Sequence, residues 1–374
     1  MTKYSVLFLT YWYPNKNSKS LGIFSKRHAQ AISINHNIVV LSLVISKGGS
    51  MYKKKSEIFR DENNIDTHQI FLESYFYKLL YVLLPFHYII LHSYILKNLS
   101  NHNFNIVHSN VIFPCGIVGN AISNKLRVKH VITEHWTKID KFFKVSLYRF
   151  SGKKALDQAE QLTFVSKQLA ATVKKYTNNA NVNIIPNVID SKEFYFNRAI
   201  VKNKTFTFIA AAHWAQFKNP FYFLDALKLI ADEKLISNFN VVMAGNGEQI
   251  DRVKSNNYPF SIELKGNLNP FELKSELNKS HIFLHGSDFE TFSVIIAEAL
   301  MCGLPSVVSP YGIALEAINA SNGFVTNNTV EDWKDKILKC YHSRYNNQEI
   351  ASQLKHKYDL ETVGRLFSDV YNNI

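Results

Sequence analysis

The sequence predicts an α/β protein built from two doubly wound, Rossmann-like domains. Three observations lead there. The chain has 374 residues and is 46% hydrophobic, enough for two cores of ordinary size. Short apolar runs alternate with amphipathic stretches, the pattern of buried parallel strands joined by crossover helices. The alternation also stops at a polar, unpatterned interval and then restarts.

The first half holds apolar runs at residues 6–10, 38–44, 66–71, 106–108, 130–133, 161–165 and 183–185; the second holds them at 206–211, 240–244, 262–264, 282–285 and 306–308. Between the two sets, Ile185-Pro-Asn-Val-Ile-Asp190 runs into a stretch without periodicity. The expected division is a domain over residues 1–190, a linker over 191–204, a second domain over 205–355 and a C-terminal helix over 356–374. Leu360, Val363, Leu366, Phe367 and Val370 give that helix one apolar face. It either closes the second domain or packs back on the first. No 20- to 50-residue period and no low-complexity segment interrupts this plan.

The opening Met1 to Pro14 has an early lysine and a short apolar run, but Trp12-Tyr13-Pro14 follows in place of a small-residue cleavage site. A buried first strand is the better reading than a signal peptide. Cys115, Cys302 and Cys340 are scattered and form no C-x-x-C pair, which argues against a disulfide scaffold or structural zinc and fits a reducing, cytoplasmic compartment. The net charge of +13 is uneven: residues 1–190 carry 24 Lys and Arg against 10 Asp and Glu, whereas residues 191–374 carry 19 against 20. An anionic partner for the first half is one reading, solubility the other. Residues 75–99, YFYKLLYVLLPFHYIILHSYILKNL, are too interrupted by Lys78, Pro85, His87 and His92 to span a bilayer. They form either a kinked core helix or a surface element with an apolar face for lipid.

Residues 282–308, IFLHGSDFETFSVIIAEALMCGLPSVV, are the most informative. A strand ends at His285, and a helix is expected from about Thr291 to Cys302, stopped by Gly303 and Pro305. Glu290 and Glu298 would then lie two turns apart on one side, able to meet two hydroxyls of an extended ligand beside free helix N-terminal amides. Spacing alone is weak, but Glu298 sits among apolar neighbours, and a buried glutamate needs a partner.

This stretch resembles the E-x7-E signature of family 4 retaining glycosyltransferases, with Ala299-Leu-Met-Cys-Gly-Leu-Pro305 as the segment that follows it. Other pieces occur in the family's order: Tyr11-Trp-Tyr-Pro14 with Leu21-Gly-Ile-Phe24, Thr133-Glu-His-Trp136, Phe164-Val-Ser166, Ile185-Pro-Asn187, Lys218-Asn-Pro220 and Met243-Ala-Gly-Asn-Gly-Glu248. The resemblance implies a GT-B fold, two domains facing each other across a cleft, and transfer with retention from a nucleotide-sugar, UDP-linked by preference. It implies Glu290 on the transferred sugar, His135 near the acceptor, and Lys218 on the donor diphosphate. It places Glu298 on the ribose, Gly22, Ser293 and Val294 as backbone donors, and Asn187 at the cleft edge.

The sequence departs from the family pattern in three places. Thr291 and Ser293 replace glycines, His213 stands where many members have an arginine, and a glycine pair is reduced to Gly312. No Asp-x-Asp occurs, so no metal or other cofactor is expected. Expected partners are a glycan or lipid-linked acceptor and an anionic membrane face, with the enzyme peripheral to it, and no nucleic acid. The rival readings are a same-fold sugar-nucleotide epimerase and a nucleic-acid-binding protein using the basic half, although no nucleic-acid-binding motif is found.

Overall fold

The computed structural model describes residues 2–136 and 139–374. The chain divides into two compact units, Met1–Val188 together with Leu360–Ile374, and Ile189–Asp359.

The first unit carries an eight-stranded sheet: β1 (Ser5–Thr10), β2 (Asn37–Lys47), β3 (Lys53–Arg60), β4 (Asp66–Ser74), β5 (Ile106–Asn110), β6 (Lys129–Glu134), β7 (Gln161–Phe164) and β8 (Val182–Ile184). Their order is β3-β4-β2-β1-β5-β6-β7-β8, and every pairing is parallel except β3 with β4. Val6, Leu7, Phe8 and Leu9 are all buried, because helices cover both faces of a parallel sheet and leave no polar side for alternation. β3 was not expected. Its sequence KKKSEIFR has no apolar run, and it lies exposed as the antiparallel edge, where Lys53, Lys54 and Lys55 discourage pairing with another chain.

Residues 75–99 form two helices, Tyr77–Val82 and Leu84–Asn98, broken at Leu83, with Pro85 in the first turn of the second. Leu84, Ile90, Leu91, Tyr94 and Ile95 are buried, whereas Tyr75, Phe76, Leu79 and Ile89 are more than half exposed. His87 explains itself: buried, it donates from Nε2 to the Leu80 carbonyl at 2.7 Å and accepts at Nδ1 from Tyr11 Oη at 3.1 Å. It ties the second helix to the first and to the loop after β1. Among the described residues, no helix is long and apolar enough to cross a membrane.

The second unit carries β9 (Phe206–Ala211), β10 (Phe239–Ala244), β11 (Ser261–Gly266), β12 (Ile282–His285), β13 (Ser306–Val308) and β14 (Gly323–Val325) in the all-parallel order β11-β10-β9-β12-β13-β14. β14 was also unexpected: three residues are too few to show a pattern. Its core gathers Phe208, Trp214, Phe223, Leu227, Val241, Leu284 and Trp333. The interval 191–204 begins with a turn and then anchors itself by burying Phe194.

The C-terminal segment is not one helix. Asn347–Tyr358 ends at an extended Asp359, and Leu360–Asn372 begins anew. The last helix belongs to the first unit: Val363, Phe367, Val370 and Tyr371 join Val6, Phe8, Ala29 and Ile32 in one core. Gly364 lets it approach the helix Ile23–Ser33, since a Cβ there would come 2.5 Å from the Ala31 carbonyl oxygen.

Candidate functional site

In an open parallel sheet, ligands bind beyond the carboxyl ends of the strands, where the strand order reverses direction. The reversal falls between β1 and β5 in the first unit and between β9 and β12 in the second. Gly22 follows β1, and Lys218 and Glu290 follow β9 and β12, beside these two points; His135 follows β6 and reaches the end of β5 through Asn110, Asn187 follows β8, and Glu298 lies inside a helix.

In the second unit, Lys218 follows β9 and Glu290 follows β12. The two loops are stitched together by backbone bonds, Asn219 N–H to Gly286 O at 3.1 Å and Asp288 N–H to Phe217 O at 2.9 Å. The Ser287 hydroxyl adds a bond to Phe217 O at 3.2 Å. This stitching brings Lys218 Nζ onto Glu290 Oε1 in an ion pair, with the two side chains only 13% and 11% exposed. His285 Nε2 lies 2.9 Å from the same carboxylate oxygen and 3.1 Å from Ser293 Oγ. A nitrogen this close to a carboxylate carries its proton, so Nε2 donates to Glu290. Burial alone would raise the Glu290 pKa, but the His285 bond and the Lys218 charge overcome it and hold the carboxyl down at about 2. Burial, reinforced by the Lys218 charge, lowers the His285 pKa against the pull of Glu290. The site therefore holds one ion pair and a neutral histidine.

The helix begins at Val294, not at Thr291. Ser293 takes the left-handed conformation, φ 69°, and turns the chain into the helix, so Glu290 lies in the preceding loop and shares no helical face with Glu298. Glu298 is inside the helix and buried. The helix stops as expected: Gly303, at φ 73°, donates to Leu300 O, and Leu304 N–H reaches Ala299 O. His213 is exposed at the mouth of a cavity of about 270 Å³, with Gly245, Asn267, Leu268 and Ile295 among its lining residues. His285 was missed by the sequence reading. A histidine closing an apolar strand reads as a core residue until the fold sets it beside Glu290.

In the first unit, His135 follows β6, and its Nε2 lies 2.9 Å from Asn110 Oδ1 at the end of β5. Burial holds the imidazole well below its usual pKa, with nearby His28 adding to the shift, so the ring is neutral. With Nε2–H given to Asn110, Nδ1 is a bare acceptor. Asn110 Nδ2 and His28 Nδ1 are buried without a hydrogen-bond partner within the protein, and Asn187 lies beside His135, whose pKa its side chain pulls up against the effect of burial. Unsatisfied polar atoms concentrated in one place are a costly arrangement that a ligand's hydroxyls relieve. His28 bonds the Pro186 carbonyl at 3.0 Å and lies 5.0 Å from the His135 ring, so it braces both His135 and the residue before Asn187.

Glu134 also escaped the sequence reading. Its carboxylate accepts the amides of Ile112, His135 and Trp136 at 2.8, 2.8 and 2.6 Å and so fixes the turn that carries His135. Burial nevertheless pushes its pKa up to about 7. Gly22 precedes the helix Ile23–Ser33 with φ 65°, and a Cβ there would come 2.0 Å from the Trp12 carbonyl oxygen, so this turn is closed to any side chain.

The sequence profile of glycosyl transferases group 1 matches residues 190–357, and that of glycosyltransferase family 4 matches residues 57–193. The chain belongs to the group 1, family 4 glycosyltransferases. An uncharacterized glycosyltransferase of Methanocaldococcus jannaschii is 26% identical over 264 residues, 69% of this chain and 70% of that protein. The Escherichia coli UDP-Gal:α-D-GlcNAc-diphosphoundecaprenol α-1,3-galactosyltransferase is 31% identical over 166 residues, 41% of either chain, so less than half of that relative is matched. Among solved structures, Anabaena HepE in complex with UDP-glucose superposes with a TM-score of 0.72 at 14% identity over 99% of this glycosyltransferase and 100% of that chain. Sucrose-phosphate synthase from Thermosynechococcus elongatus gives 0.73 at 12%, over 99% and 98%. The fold of this glycosyltransferase is GT-B, two Rossmann-like α/β domains.

Proposed function

We propose that the enzyme transfers a sugar, with retention at the anomeric carbon, from a UDP-sugar to a hydroxyl of a lipid-linked or membrane-associated glycan, as a step in cell-surface polysaccharide synthesis. The observation that carries this reading is the Lys218–Glu290 pair held at the strand-order reversal of the second unit. Two buried opposite charges gain little for stability over an apolar pair, which favours a functional reason for keeping them. Lys218 is the cation for the donor diphosphate, joined by the amides that open the helix Val294–Met301 and by Ser293. Glu290 positions the transferred sugar, Glu298 takes the ribose, and the slot beside His213 and Ile295 takes the base. His135 accepts a hydrogen bond from the sugar through Nδ1, with Asn187 beside it and the Gly22 turn supplying backbone N–H groups. The acceptor proton passes to the donor's own phosphate.

The UDP-galactose and UDP-glucose named for the E. coli relative and Anabaena HepE support the donor class, and the diphosphoundecaprenol of the former supports a lipid-borne acceptor. The basic balance of the first unit supports work at the anionic inner face of the cell membrane, where Lys53, Lys54, Lys55, Lys141 and Lys144 stand exposed. The test is a thermal-shift panel of nucleotide-sugars followed by NMR of the product. One UDP-sugar is expected to raise Tm by mass action and to give a product of unchanged anomeric configuration. An inverted product, or a donor altered without any acceptor, would overturn the reading. Because the sequence holds no Asp-x-Asp pair, added EDTA is expected to leave turnover largely intact.

A further inference from the structure

The first unit contains a second concavity of a different chemistry. A cavity of about 430 Å³ opens where three helices meet, Leu84–Asn98, Ile117–Leu126 and Ser146–Gln158, with Val82, Leu84, Pro85, Ile117, Val118 and Tyr148 among its walls. Its lining is almost entirely apolar. Tyr148 is held in place by Phe113, 4.9 Å between ring centroids, and by a stacked Phe142 at 5.5 Å. Leu83 and Phe150, next to lining residues in sequence, are 40% and 77% exposed, and Leu79, on the helix that ends at the lining residue Val82, is 54% exposed. An uncovered apolar rim around an apolar cavity is costly in water and marks a surface for a partner.

The charge around it specifies the partner. From Ser74 to Lys154 the chain carries eleven Lys and Arg and only two acids, Glu134 and Asp140. Glu134 is buried, and Asp140 is taken by Lys175 at 2.8 Å and Tyr176 Oη at 2.6 Å. The three wall helices carry Lys97, Lys125, Arg149, Lys153 and Lys154 against a single acid, Asp157, which Lys153 holds at 2.6 Å, and Lys78 lies on the helix that ends at Val82, so the elements around the cavity are basic. A protein partner's apolar face would bring mixed charge, whereas a lipid brings a hydrocarbon chain joined to an anionic head.

We propose that this cavity holds one hydrocarbon chain of an anionic bilayer lipid, with the lipid phosphate on the basic rim. The inference rests on the membrane-side reading of the acceptor given above, and it narrows docking from a charged surface to a chain-binding site. Calorimetry with dodecyl phosphate below its micellisation point tests it, using inorganic phosphate and dodecyl maltoside as probes of head and chain alone. Dodecyl phosphate is expected to saturate at one molecule per chain and to bind more tightly than either control. Ala121→Trp, at an exposed helix position on the cavity wall, fills the space without entering the core. It is expected to weaken binding at least about tenfold, since methylenes kept in water lose their burial gain. The pair Lys78→Glu with Lys144→Glu is expected to weaken binding and to flatten its salt dependence.

Undiminished binding by Ala121→Trp, or inorganic phosphate binding as tightly as dodecyl phosphate, would overturn the proposal. UDP binding measured on the same proteins separates the two readings. UDP kept with dodecyl phosphate lost in Ala121→Trp supports the chain site, whereas UDP failing to bind the unsubstituted protein sinks the donor-site reading and leaves the cavity result to stand by itself.

Discussion

The two strand-order reversals hold polar groups by opposite means. Around His135 the first unit keeps its imidazoles neutral: burial drives His28 and His135 to low pKa, and buried polar atoms such as Asn110 Nδ2 and His28 Nδ1 are left without partners. Around Glu290 the second unit keeps charge and cancels it internally, with Lys218 and Glu290 closed on each other. A neutral site loses little when a sugar hydroxyl arrives, because no ion has to change partners. An internally paired site stays closed until a stronger anion competes for the lysine, and a diphosphate is such an anion. On the proposed function, the difference teaches that one chain can store readiness for a sugar as unmet hydrogen bonds and readiness for a phosphate as a displaceable ion pair.

The largest effect expected from breaking this contrast is at Lys218. Lys218→Ala should lower kcat/KM at least about a hundredfold, the scale for one lost electrostatic stabiliser. Initial rates with the UDP-sugar found in the thermal-shift panel measure it, and unchanged turnover in a folded variant would remove Lys218 from the donor site.

Acid should separate the units next. The folded-state pKa values of His28, His36 and His130 fall to about 4, 4 and 3, from an ordinary 6.5. Between those values and 6.5 the unfolded chain binds protons that the folded one refuses. The stability these groups contribute is thus present above pH 6.5 and is lost as pH falls toward 4, by up to a few kcal/mol for each deeply buried ring. Glu134 runs the other way: raised from 4.5 to about 7, it favours the folded state at low pH and loses that contribution as pH rises through 7. All four groups lie in the first unit. Hydrogen exchange at pH 7 and pH 5 should show protection lost mainly there, and equal loss in both units would defeat the contrast.

A smaller effect sharpens the role of His285. His285→Leu removes a donor that holds the Glu290 pKa down, so the acid limb of kcat/KM should move to higher pH with about a tenfold loss, the scale of one hydrogen bond to a charged group. His285→Asn, whose amide still donates, should restore the limb. A merely structural histidine would leave the limb where it is in both variants. The smallest effect concerns Ser293, a left-handed residue bonded to His285. Ser293→Gly should be more stable than Ser293→Ala by about 1 kcal/mol, because both lose the hydroxyl but only alanine keeps the backbone strain. Urea unfolding compares them.

How far the sequence could be read follows from these same residues. The buried strands were legible because a parallel sheet writes itself as uninterrupted apolar runs, whereas β3 and β14 were not, one being exposed on an edge and the other only three residues long. Glu290, Lys218 and His135 were visible through motif order. His285 and Glu134 were invisible because their meaning lies in what the fold brings near them, an amide cluster in one case and a carboxylate in the other. The start of the helix at Val294 was misplaced because a serine at φ 69° leaves no trace in a hydrophobic pattern.

The last helix, which completes the core of the first unit, also sets a timetable for synthesis. The chain leaves the first unit at Val188 and returns only at Leu360, so every residue of the second unit emerges from the ribosome before the first can bury Val6, Phe8 and Ile32 beneath Phe367 and Tyr371. The half that is made first is finished last, and until then it exposes an apolar seam that a nascent chain must shield. A premature stop at codon 360 would spare the contiguous half and cripple the one whose coding sequence it leaves almost intact.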